Sequence, residues 1–112
     1  MSESKLRDLS VDFSVKVVKL CESIKGHYSL VNQLERSATS IGANIHEAKY
    51  AHGTADFVAK LQISLKECYE TEYWIELLLE SGYYSDNGVL DKCVEVKKIP
   101  ISSVNTAKSK QS

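Results

Sequence analysis

The sequence predicts an all-α fold, an antiparallel up-down-up-down bundle of four helices, and three observations support this. Apolar residues recur at alternating steps of three and four along most of the chain, which places them on one face of each helix. Turn formers are scarce, with five glycines and one proline in 112 residues, so long elements are favoured over many short strands. The breaks that do occur, at Gly26-His27, His52-Gly53 and Ser81-Gly82, are short, which makes consecutive helices antiparallel neighbours. With 43% hydrophobic and 26% charged residues, the length suits a single domain over residues 1–112 with a buried core.

The first helix is expected over about residues 5–25, with Leu6, Leu9, Phe13, Val17, Leu20 and Ile24 on one face and Val18 and Cys21 widening it. Gly26-His27 closes it. The second is expected over about 29–51, with Leu34, Ala38, Ile41, Ile45 and Ala48 as its seam. Between them sit Ser37, Ser40, Gly42, Ala43 and Asn44. A free surface favours Lys, Glu and Gln, which are better helix formers, so this helix is expected to be enclosed on more than one side. Those five small residues are read as packing and assembly determinants.

Gly53 ends the second helix, and Thr54 is the expected N-cap of the third, with Asp56 in its first turn. The third helix, about 55–81, carries Phe57, Leu61, Ser64, Cys68, Thr71, Ile75 and Leu78, beside a second line of Val58, Leu65 and Leu79. Ser85 is expected to cap a fourth helix, about 86–108, with Leu90, Val94, Lys97, Ile101 and Val104 along its seam. Inside a helix Pro100 removes a backbone donor at a cost of roughly 3 kcal/mol, so a kink or a break is expected there. The polar stretch from Thr106 to Ser112 is expected to fray. Antiparallel pairing around these turns brings Ile41 near Phe13. It also sets Arg36 opposite Glu70, with Glu72 as a second partner, and this intrachain ion pair is preferred over a phosphate contact at Arg36.

Charges nearly cancel: fourteen Lys and Arg against fifteen Asp and Glu give a net charge of -1, so the total favours neither nucleic acid nor membrane. Their order says more. Glu67 to Asp91 holds seven acidic residues and no basic ones, whereas Lys92, Lys97, Lys98, Lys108 and Lys110 are opposed only by Glu95. An acidic helix beside this basic segment can form a complement within the chain or between subunits; the lysines also fit contact with an RNA or DNA backbone, or a solvated basic terminus.

No catalytic, cofactor or metal residue is assigned. There is no Glu-x-x-His pair for a di-metal bundle, since the third residue after Glu47 is Tyr50. His27 and His52 fall in turns and His46 near a helix end. Cys21, Cys68 and Cys93 are widely spaced and read as small core residues in a reducing compartment. No apolar run has the length of a signal peptide or a membrane span, so a cytoplasmic protein of bacterial type is expected.

Two stretches resemble a known family. Gln33-Leu34, Arg36-Ser37-Ala38, Ser40-Ile41, Ala43-Asn44-Ile45 and Glu47-Ala48 resemble the second-helix signature of the 23S rRNA-intervening-sequence proteins, also called the four-helix bundle family. Phe57, Leu61, Ile63-Ser64-Leu65-Lys66-Glu67 and Glu70-Thr71-Glu72-Tyr73-Trp74 resemble its third helix, and the likeness spans about residues 10–95. Ala48, where many members carry Gly, the Lys66-Glu67 pair in place of Gly-Ser, and Pro100 depart from the pattern. The resemblance implies a left-handed bundle that forms a homopentamer, and a related group that serves reverse transcriptases as accessory proteins. It carries over no catalytic residue.

The function expected is therefore a non-enzymatic, oligomeric scaffold or accessory protein associated with nucleic acid, with itself as first partner. The alternative is a protein-binding adaptor that uses exposed aromatics such as Tyr73, Trp74, Tyr83 and Tyr84.

Overall fold

The computed structural model describes residues 3–85 and 88–111, and all regular structure among them is helical. The order is α1 (Glu3–Ser23), α2 (Tyr28–Ala48), α3 (Thr54–Glu80) and α4 (Gly88–Gln111). They form a rod of 47 × 21 × 19 Å. Each helix packs on its neighbour in sequence, and α4 returns to α1 to close the bundle, more sparsely than the other pairs.

Contacts give the directions. Ser64 donates to the Ile41 carbonyl, Thr71 meets Ser37, and Lys60 meets Glu47, so residues later in α3 face residues earlier in α2. Cys21 near the end of α1 likewise reaches the Val31 carbonyl near the start of α2, at 3.7 Å. For α3 and α4 the chain length decides. Seven residues span at most about 25 Å, too little to return along a 27-residue helix about 40 Å long, so α4 runs back beside it.

Two turns show why the helices stop where they do. At α3 the chain passes through Ser81 and then Gly82 at φ 80. The Gly82 N–H reaches the Leu79 carbonyl and the Tyr83 N–H the Leu78 carbonyl, both at 3.1 Å. That is the Schellman arrangement, and glycine is favoured there because a Cβ strains the left-handed conformation. Between α1 and α2, Gly26 at φ 84 is followed by His27 at φ 47, a left-handed non-glycine residue. Its ring lies 4.6 Å from that of Tyr83, which ties this turn to the α3–α4 connection.

Thr54 is not the cap of α3. Gly53 takes that place, Thr54 is the first helical residue, and Asp56 accepts a bond from the His52 N–H at 3.1 Å. The aspartate thus reaches back to the chain ahead of the helix, while the first-turn N–H groups of α3 have no side-chain cap. The start expected for the fourth helix, residues 86 and 87, lies outside the described residues, as does Ser112.

The core is a seam of Phe13, Val17, Leu34, Ile41, Leu61, Ile75 and Leu78, all within a few per cent of full burial. Three helices bury the faces that their spacing indicates, with Val58 rather than Phe57 opening the α3 seam; the Leu6 side chain lies outside the described residues. In α4 the face differs. Cys93, Val96, Ile99, Pro100, Val104 and Ala107 turn inward, while Val94 is 38% exposed and Leu90, Lys97 and Ile101 are half-buried. Pro100 is buried and α4 continues through it as one helix to Gln111, so no break falls there and the polar end stays helical.

Candidate functional site

The small residues of α2 divide between two flanks. Ser37 is buried against α3, where the Thr71 hydroxyl lies 2.9 Å from it and 2.7 Å from the Glu67 carbonyl, sharing one proton between them. Ser37 in turn donates to the Leu34 carbonyl at 3.2 Å. Asn44 donates to the Ser40 carbonyl at 2.9 Å, back along its own helix. Gly42 faces α1, where an added Cβ would meet Ser14 Oγ at 3.4 Å and Ser10 Oγ at 3.7 Å. Ala43 is exposed.

On that α1 flank an open groove of about 460 Å³ runs between Val11, Val15 and Val18 of α1 and Thr39, Gly42 and Ala43 of α2. Val11 and Val15 are 45% and 46% exposed. Lys19 and Glu22 stand at its edge with opposite charge. Gly42 and Ala43 are among the small residues expected to serve assembly, whereas Val11 and Val15 were not expected here, although with Val18 they step by four and three beside the main seam of α1.

Across the bundle, Arg36 pairs with Glu70, stands 3.3 Å from Glu67, and donates to Gln33 at 3.1 Å. The Trp74 indole N–H also donates to Glu70, at 2.9 Å. Two carboxylates on one guanidinium leave no net positive field for a phosphate. Glu72 does not join this cluster. Two residues past Glu70 is about 200° around the helix, which turns it to α4, and there it meets Lys97 at 2.6 Å. That pair retains 18% and 20% of its side-chain surface, and the Lys97 ammonium also lies 5.0 Å from the centre of the Tyr69 ring. The hydrogen bond to Glu72 holds the Lys97 pKa above its usual 10.5.

The five lysines of the last segment do not converge. Lys92 and Lys110 are eighteen residues apart, about five turns, and Lys97 and Lys108 eleven, about three turns, so the two pairs lie on different sides of α4 and Lys98 on a third. Lys97 is engaged with Glu72, and Lys92 lies 3.3 Å from Glu95. Lys98, Lys108 and Lys110 are exposed. Of the aromatics read as a docking set, Tyr73 is 57% exposed, but Trp74, Tyr83 and Tyr84 are half-buried against the core.

His46 stacks edge-on with Tyr50, ring centres 5.5 Å apart. Among the described residues no group of three or more His, Cys, Asp and Glu could hold a metal ion, and no helix is long and apolar enough to cross a membrane.

The three cysteines are free and buried. Burial pushes the Cys21 thiol to about 11, helped by Glu35, and the Cys68 thiol to about 12, helped by Glu72; Cys93 rises further. These are the opposite of activated nucleophiles. The linkage has a definite sign. Below pH 9 the thiols are protonated in both states and this stabilising contribution is complete. Above it the unfolded chain releases protons that the folded chain keeps, so stability falls as pH rises towards 11 and 12. Urea midpoints should fall steeply above pH 9, and a Cys21→Ala/Cys68→Ala/Cys93→Ala variant should show a shallower slope. An equal slope in both proteins would count against the buried thiols as its source.

The family model for the 23S rRNA-intervening sequence protein matches residues 2–102. No curated protein matches. A solved protein of unknown function from the S23 ribosomal protein family of Bacteroides thetaiotaomicron superposes with a TM-score of 0.83 at 39% identity. The match covers 88% of this chain and 97% of that one. A likeness of this kind over nearly the whole bundle fixes the assignment: the chain belongs to the 23S rRNA-intervening sequence protein family.

Proposed function

We propose that this chain is a non-catalytic, self-assembling helical bundle that acts in the cytoplasm as a scaffold or accessory protein beside ribosomal RNA. The observation that carries the reading is the α1–α2 groove, which holds both a knob and a hole. Val11 and Val15 project beside the bare surface at Gly42 and Ala43, and Lys19 and Glu22 offer opposite charges at the edge. A surface that complements itself in this way suits a second copy of the same chain. A homopentamer is the assembly we propose, following the family likeness. The cytoplasmic placement is supported by three buried free thiols.

The RNA arm of the proposal also turns on assembly. Lys98, Lys108 and Lys110 point different ways in one copy, so a continuous basic surface needs several copies side by side.

Light scattering at micromolar concentration should give a whole multiple of the 12.5 kDa chain mass, fivefold for the pentamer. A Val11→Ser/Val15→Ser variant should run as a monomer with a nearly unchanged melting temperature, because both valines are half-exposed in the single chain. A monomeric wild type, or a serine variant that keeps its assembly, removes the groove from the proposal. For RNA, the affinity for a structured rRNA fragment should fall as salt rises, and a flat response removes the lysines.

A further inference from the structure

The outer face of α3, away from the core, is a stripe of exposed side chains. Gln62, Lys66, Tyr69, Tyr73, Glu76 and Glu80 step by 4, 3, 4, 3 and 4, and all six are exposed. At the centre of the stripe stand two tyrosines, 53% and 57% exposed. Both rings are held by a neighbour, Tyr69 by a cation over its face and Tyr73 by an edge contact. Lys97 lies 5.0 Å from the centre of the Tyr69 ring, and Trp74 meets the Tyr73 ring edge-on at 5.1 Å. Rings already held in place lose little freedom when a partner covers them.

The charges beside the tyrosines indicate the partner. Of the acidic run that begins at Glu67, the first three members are occupied by Arg36 and Lys97. Glu76 and Glu80 are exposed, and no basic residue lies between Glu67 and Asp91 in the sequence. Lys66 gives the opposite end of the stripe the opposite sign.

We propose that this face docks an amphipathic, arginine-rich helix of another protein. Its arginines meet Glu76 and Glu80, and its apolar side covers Tyr69 and Tyr73. The face is separate from the α1–α2 groove, so the two proposals fail independently.

The test uses the full chain and two labelled peptides, an amphipathic helix of leucine, alanine and arginine and its counterpart with glutamate for arginine. Fluorescence anisotropy should show binding of the arginine peptide and none of the glutamate peptide. Tyr69→Ala/Tyr73→Ala should weaken binding about tenfold or more. Glu76→Gln/Glu80→Gln should weaken it and flatten its salt dependence. Equal binding of the two peptides, or wild-type affinity in the tyrosine variant, overturns the proposal. So does a tyrosine variant whose light-scattering mass drops, because the face then belongs to contacts between copies.

Discussion

Gly42→Leu is expected to lower the melting temperature by about 5–15 °C, while Ala43→Leu one residue on is expected to leave it nearly unchanged and to block self-assembly. The contrast comes from which way each position faces. A Cβ at Gly42 already stands 3.4 Å from Ser14 Oγ, so three further carbons push α1 away from α2. Overpacking of this kind costs about 1–3 kcal/mol, and each kcal/mol moves a domain of this size by about 4–8 °C. Gly42→Ala is the control. Its single methyl makes ordinary contact, and it gains about 1 kcal/mol of helix propensity, so it should melt no lower than wild type. Ala43 is exposed in the single chain but lines the groove proposed to meet a second copy. Thermal denaturation and light scattering on the three variants separate the two roles. A Gly42→Leu protein that melts with wild type would show that α1 and α2 are not in close contact there.

Lys97→Ala is expected to cost about 2–3 kcal/mol, at or just under the low end of the roughly 3–5 kcal/mol for breaking a buried ion pair, since both side chains keep about a fifth of their surface. Most of that loss belongs to Glu72, whose carboxylate is left beside the buried Cys68 and Cys93 without its cation. The double variant Lys97→Met/Glu72→Leu removes both charges and fills the space with apolar atoms. It should recover to within about 1 kcal/mol of wild type. Chemical denaturation of the single and double variants provides the comparison. Equal losses in both would mean that lost packing of the lysine stem, rather than a stranded charge, is the cause.

How far the sequence could be read depended on whether more than one helical face met the same spacing rule. In α2 only one line of large apolar residues exists, Leu34, Ile41 and Ile45, and it is the line that is buried. In α4 two lines step by threes and fours. The line of Leu90, Val94 and Ile101 looks the more apolar, yet Cys93, Val96, Pro100 and Ala107 face the core, together with Val104, which both lines share. Cysteine, proline and alanine are weak hydrophobic signals alone, and here neighbouring helices choose the face. The same limit hid Glu67, which lies one turn from Glu70 and completes the cluster around Arg36. It also hid the partner of Glu72, which depends on the rotation of α4. The α1–α2 groove was harder still to see, because it is defined by what does not cover it.

The hydroxyl contacts between α2 and α3 make their alignment discrete. A seam of leucines alone can slip by a heptad, since each knob finds the next hole almost as good. Ser37 with Thr71, and Ser64 with the Ile41 carbonyl, match at a single offset. A slipped arrangement loses both contacts, and although Ser37 and Thr71 keep carbonyl partners on their own helices, each lost hydrogen bond costs about 0.5–1.5 kcal/mol. Sliding is therefore closed as a way to absorb load. A helix gripped on its outer face passes a push along its axis to its neighbour as a rigid rod does, and whatever docks on α3 displaces α2 with it.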